Sequence, residues 1–213
     1  MNIFLEDLLK RHPELQKIAG KIEQAAELMI SAYEQGHRLY LCGNGGSAAD
    51  SEHIVGELMK GFILKRPVGA EFRRQLQERY GEEGEAMAAR LQGGLPAISL
   101  TGAPALSSAF SNDVAPEMVF AQQVFVMGQP GDVLVGITTS GNSKNVVNAL
   151  KIAAVKGLKT IALTGEGGGK CAELVDCLVN VPAKETFLVQ EYHLPVYHTL
   201  CLMIEDRFYG SQK

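Results

Sequence analysis

The sequence has no tryptophan and only four cysteines, Cys42, Cys171, Cys177 and Cys201, none in a CxxC pair. That excludes a disulfide-stapled scaffold and fits a reducing, cytoplasmic setting. No uninterrupted apolar run approaches ~18 residues, so no membrane span is expected. Basic residues are not in excess: 20 Lys and Arg stand against 24 Asp and Glu, for a net charge of −4. Without a basic patch, nothing in the charge supports nucleic-acid binding. The opening MNIFLEDLLKRHPE is amphipathic and acidic early, unlike a signal peptide. What is present is a 46% hydrophobic chain of 213 residues, enough to bury a sizeable core in one large domain.

Strand-like apolar runs alternate with helical patterns. Residues 3–11 read as a short amphipathic helix. A second helix follows, with Pro13 in its first turn and a stripe of Leu15, Ile18, Ile22, Ala25, Ala26 and Met29, stopping near Gly36. Residues 1–35 either cover one side of a sheet or pack between subunits. Strands are expected at 39–42, 95–100, 132–137, 160–163 and 177–181. Helices are expected from Ser47, at 104–110, 115–127, 143–156 and 169–175, and at 186–209. Short apolar strands separated by helices predict a three-layer α/β/α sandwich around a five-stranded parallel sheet. Residues 62–94 break the rhythm with mixed charges and are read as an insertion of helical pieces interrupted at Gly81 and Gly84. It is either a flap near the site or a surface excursion.

The chemistry concentrates where strands end. After Leu39–Cys42, Gly43-Asn44-Gly45-Gly46 makes a turn into a helix, a layout that aims backbone N–H groups at an anion. Ser47 is positioned to cap that helix. His53 and Glu57 stand at i, i+4 on one helix face, either as a metal-or-proton pair or as a surface pair supporting the helix. Thr138-Thr139-Ser140-Gly141-Asn142-Ser143 lies between another strand and helix. It offers four hydroxyls to a phosphate, where a plain N-cap would need only Ser143. The last helix carries Gln190, Glu191, His193 and His198, with Pro195 expected to kink it.

CGNGGS, the HxxxE pair, the TTSGNS loop and QExHxxxxH together resemble the sugar isomerase (SIS) fold and, within it, the phosphoheptose isomerases. The likeness covers roughly residues 36–61 and 96–209. It implies interconversion of sedoheptulose 7-phosphate and an aldoheptose 7-phosphate. Glu57 would be the general base and His198 its partner acid. Zinc ligands are implied at His53, Glu57, Gln190 and His198. Substrate contacts are implied at Asn44, Gly45, Gly46, Asn112, Asp113, Thr138, Thr139, Ser140 and Ser143, and Ser47, Glu57 and Gln190 join that set. The resemblance also implies a homotetramer with sites at subunit interfaces.

Three positions depart from the family pattern. Thr138 stands where Ser is usual, and Phe187 where a polar residue is expected. An Arg expected after the Glu is absent, Gly61 taking its place with Lys60 the nearest cation. Gln190 and His198 are eight residues apart, about 12 Å along a straight helix. Both reach one ion only if the helix bends or different subunits contribute. An aldose–ketose isomerisation needs a carboxylate base, a group to manage oxygen protons and something to stabilise an enediolate. The rival readings are a non-catalytic SIS protein of the replication-initiator-associating type and an isomerase for a different ketose phosphate.

Overall fold

Five apolar runs pair side by side, all parallel, in the order β2-β1-β3-β4-β5. They are β1 (Leu39–Gly43), β2 (Ala97–Ser99), β3 (Val133–Ile137), β4 (Lys159–Thr164) and β5 (Cys177–Asn180). The computed structural model describes residues 2–210; residues 1 and 211–213, the ends of the single-domain span, lie outside it. The register aligns Leu41 with Val135 and Val135 with Ile161. Both faces of these strands are covered, which is why their sequences read as continuous apolar runs.

Leu39, Leu41, Val133, Val135, Ile161 and Leu163 face one helical layer, and Tyr40, Cys42, Leu134 and Ala162 face the other. The first layer holds α1 (Ile3–Arg11), α2 (Ala19–Glu34), α3 (Gly46–Met59) and α8 (Thr186–Tyr209). The second is built on α6 (Val119–Met127) and α7 (Lys144–Val155), with α5 (Pro104–Asp113) beside α6. This is the expected three-layer sandwich. The stripe on the leading helices is spent inside the chain: Leu5, Leu8, Leu15 and Ile22 are buried, and α1 and α2 pack on α8.

Several boundaries move. The second strand is only Ala97–Ser99, and the stretch expected as a helix at 169–175 is a 3-10 turn over Gly169–Glu173. The fifth helix runs on to Asp113, so Ser111, Asn112 and Asp113 form its last turn rather than a following loop. α8 stays helical across Pro195, whose carbonyl accepts the Thr199 hydroxyl.

Much of the stretch 62–94 is a helical hairpin. α4 (Ala70–Ala88) is broken once, at Gly81, where φ is +58°. Its arms fold back on each other, joined by an Arg73–Glu85 ion pair. The expected break at Gly84 is absent; that glycine is helical, and its bare Cα lets the second arm lie against the Leu76 carbonyl. At the base, Pro67 bridges to Gln92, and the Gly93 N–H donates to the Arg66 carbonyl at 2.6 Å. Phe72, Tyr80 and Leu91 are exposed, and the arms pack closely on no other named element.

Excising residues 70–87 and closing the gap with a short Gly-Ser link is expected to keep the fold, changing stability by under about 1 kcal/mol. Urea unfolding followed by circular dichroism checks this; a loss of several kcal/mol would make the hairpin part of the core. His193 generates a second expectation. It is fully buried on α8, its Nε2 lies 3.3 Å from the Thr164 carbonyl, and its Nδ1 has no partner. Burial lowers its pKa to about 4, so it folds neutral. The unfolded chain binds this proton near pH 6.5 and the folded chain only near 4. Stability therefore falls as pH drops through that window, by about 3 kcal/mol from this residue. Comparing unfolding at pH 7 and 4.5 should show His193→Phe with a flatter acid limb than the wild type.

Candidate active site

The chain leaves β1 for β2 on one side and returns to β3 on the other, so the strand order reverses between β1 and β3. Ligands of open α/β sheets bind outside the carboxyl ends at such a switch point. The two loops singled out in the sequence, 43–46 after β1 and 138–143 after β3, flank it. A reciprocal amide pair ties the first loop to the first turn of α7, just beyond the second: Asn44 Nδ2 donates to Asn145 Oδ1 at 3.0 Å, and Asn145 Nδ2 to Asn44 Oδ1 at 2.8 Å.

Ser47 does not cap α3. The helix starts one residue earlier, at Gly46, with Gly45 in the capping position at φ +54° and no side-chain cap; Ser47 lies buried in the first turn. Ser143 stands at the N-cap of α7, yet its hydroxyl makes no capping bond and lies 3.0 Å from Thr138 Oγ1. Ser140 Oγ accepts the Asn142 N–H, and Thr139 Oγ1 lies 3.5 Å from Thr186 Oγ1. A depression of about 260 Å³ beside this loop is lined by Thr139, Ser140, Gly165, Glu166, Gly167 and Lys184, among others.

Deeper along α3, two helices bring distant residues together. His53 Nε2 lies 3.2 Å from Glu57 Oε1 and 3.4 Å from His198 Nε2. His53 Nδ1 lies 3.0 Å from the Tyr197 hydroxyl, which donates to Asp50 Oδ1 at 3.3 Å. His53 thus stands between the Tyr197 hydroxyl at Nδ1 and the Glu57 carboxylate and His198 imidazole at Nε2. Asp50 Oδ2 is buried without a partner, and burial raises the Asp50 pKa. Burial and the neighbouring His53 lower that of His198. Lys60 donates to Glu57 Oε2 at 2.9 Å. Phe62 lies over His198 with ring centroids 5.5 Å apart.

Two imidazole nitrogens and a carboxylate oxygen close together favour a cation or a shared proton among them. Nitrogen and carboxylate oxygen are donor types that zinc takes. Among the described residues, however, no three His, Cys, Asp or Glu side chains close into a metal-holding group. The arrangement is two donor pairs sharing His53 Nε2, so the donor chemistry fits zinc while the set is incomplete in one chain.

Gln190 does not join this cluster. Its amide lies against Gly46, where a Cβ would collide with it, at the opposite end of α3. His53 is seven residues further on, about 10 Å along the axis. Asn112 and Asp113 bond to each other at 2.8 Å and make no bond to the other candidates. Asp50, Tyr197 and Asn145 were missed by sequence reasoning. Asp50 precedes His53 by three residues on the same helical face, a spacing that could have flagged it.

The SIS domain family model matches residues 4–88 and 76–165. A phosphoheptose isomerase of Akkermansia muciniphila is 37% identical over 197 residues, covering 92% of this chain and 90% of its own. One from Nitratidesulfovibrio vulgaris is 40% identical over 198 residues, covering 93% and 82%. The solved phosphoheptose isomerase of Neisseria gonorrhoeae superposes with a TM-score of 0.74 at 34% identity, covering 94% of both chains. At these identities over nearly the whole length, the chain belongs to the phosphoheptose isomerase family of SIS-domain proteins.

Proposed function

We propose that this protein is an aldose–ketose isomerase that interconverts sedoheptulose 7-phosphate and an aldoheptose 7-phosphate through an enediol. The observation that carries the reading is the meeting of His53, Glu57 and His198 on helices adjoining two donor-rich loops. The phosphate is taken by backbone amides at Gly45 and Gly46 and by the hydroxyls of Thr138, Thr139, Ser140 and Ser143. Asn44, Asn112, Asp113 and Gln190 face the sugar. Holding the phosphate fixes C1 and C2 over the base and removes the entropic cost of alignment from the chemical step.

Glu57 removes the proton from the carbon beside the carbonyl and returns it to the adjacent carbon. His198 moves the hydroxyl proton from one oxygen to the other, so the exchange balances without a co-reactant. Lys60 holds Glu57 Oε2, leaving Oε1 toward the reacting side. A zinc ion held by His53, Glu57, His198 and Gln190 would polarise the carbonyl and stabilise the enediolate. The separation of Gln190 from His198 within one chain supports a homotetramer in which neighbouring subunits complete the site. No described helix is long and apolar enough to cross a membrane, and the proposed setting is the cytoplasm.

Glu57→Gln should lower kcat at least about 100-fold while leaving phosphosugar affinity, read by calorimetry, within a few-fold of wild type. Near-normal turnover removes Glu57 as the base. A wild type that binds phosphosugars without turning any over returns the chain to the non-catalytic SIS reading; turnover of another ketose phosphate alone changes the substrate. Titrating metal-free protein with zinc should show binding that His53→Ala weakens at least about tenfold. Equal affinity of the two proteins would exclude His53 as a ligand.

A further inference from the structure

One buried carboxylate gathers four hydrogen-bond donors. Glu205, on α8 two turns beyond His198, accepts the backbone N–H groups of Phe62 (2.8 Å), Ile63 (2.9 Å) and Leu64 (3.2 Å). It also accepts Arg66 Nε at 2.9 Å, and Arg66 Nη2 stands 2.8 Å away as the closest ion-pair contact. Both side chains are buried, with 0% and 1% of their surface exposed. The other edge of the guanidinium turns the opposite way. Arg66 Nη1 donates to the Leu58 carbonyl at 2.8 Å and Nη2 to the Glu57 carbonyl at 3.3 Å. Tyr209 covers the group, with its ring centroid 4.6 Å from Cζ.

The carbonyls of the last helical turn have no partner within their own helix. Here Arg66 donates to two of them, the Leu58 carbonyl also taking the Leu95 N–H at 2.9 Å, and the turn they close is the one that carries Glu57. The same guanidinium is bonded to α8, the helix that carries His198. The three amides gathered by Glu205 also fix the loop that lays Phe62 on His198. A buried ion pair is weak evidence for stability, because desolvating both charges offsets most of their attraction. Its geometry instead sets where two helices stand relative to each other.

We propose that Arg66 and Glu205 are positioning residues: they fix the last turn of α3 against α8 and so set the placement of Glu57 opposite His198. This rests on the isomerase reading for its kinetic consequence but not for its structural one. Lysine can keep the charge beside Glu205, but a single ammonium cannot reproduce the planar fork to both helices.

Arg66→Lys should therefore lower kcat at least about tenfold with KM changed less than about threefold, since misplacement of a base by a fraction of an ångström acts on the chemical step. Hydrogen exchange should rise in the peptide spanning residues 53–61 and stay unchanged around residues 46–51, with the unfolding midpoint within a few degrees of wild type. Glu205→Gln, which keeps the shape and one acceptor, should give the same local signature. A kcat within twofold of wild type, or exchange that rises uniformly along the chain, overturns the proposal. So does failure of both variants to fold, which would make the pair a determinant of folding alone. An inactive wild type refutes the isomerase reading instead, while the exchange arm still reports on the clamp.

Discussion

The distance between α3 and α8 governs everything chemical in this chain. At one end, Gly46 offers no side chain, so the Gln190 amide settles directly on the helix backbone. At the other, a guanidinium spans the gap and bonds both helices. Between these two points lie Asp50, His53 and Glu57 on one helix, and Tyr197 and His198 on the other. The sheet matters to this arrangement because it sets the starting point of α3. β1 delivers its glycine turn beside the loop after β3, and the helix departs from that edge. Small errors in spacing would alter every donor distance around His53, because rigid helices move as bodies.

The cluster also depends on which groups stay uncharged. His193, three residues after Gln190, is neutral because burial opposes its protonation. Burial, with the nearby Asp50 carboxylate, likewise raises the pKa of the Tyr197 hydroxyl, so the phenol keeps its proton. The Asp50–Tyr197–His53 chain is short and partly buried, and it fixes which edge of the His53 ring faces Glu57 and His198.

Much of this was legible in the sequence because the signals are local. Alternating apolar runs and glycine turns located all five strands, and the i, i+4 spacing of His53 and Glu57 placed both on one face. The TTSGNS loop is likewise contained within a few residues. Partners separated by long stretches of chain were not legible: Asn145 with Asn44, Tyr197 with His53, Glu205 with Arg66. No periodicity encodes a contact between residues 139 positions apart. Ser47 failed as a cap because Gly45, at φ +54°, takes the capping position two residues earlier and Gly46 begins the helix. Gly84 was misread as a break because the sequence cannot distinguish a glycine needed for its dihedral angles from one needed for its size.

The hairpin between Pro67 and Gln92 leaves and rejoins the body at neighbouring points, with its strands joined across the base. Lengthening or shortening a segment closed in this way changes the loop-closure entropy only logarithmically. The position is therefore one where chain length can drift among descendants of a common ancestor at little thermodynamic penalty. The tip near Gly81 is correspondingly a place where a fluorophore or a foreign module could be attached without crossing the hydrophobic layers.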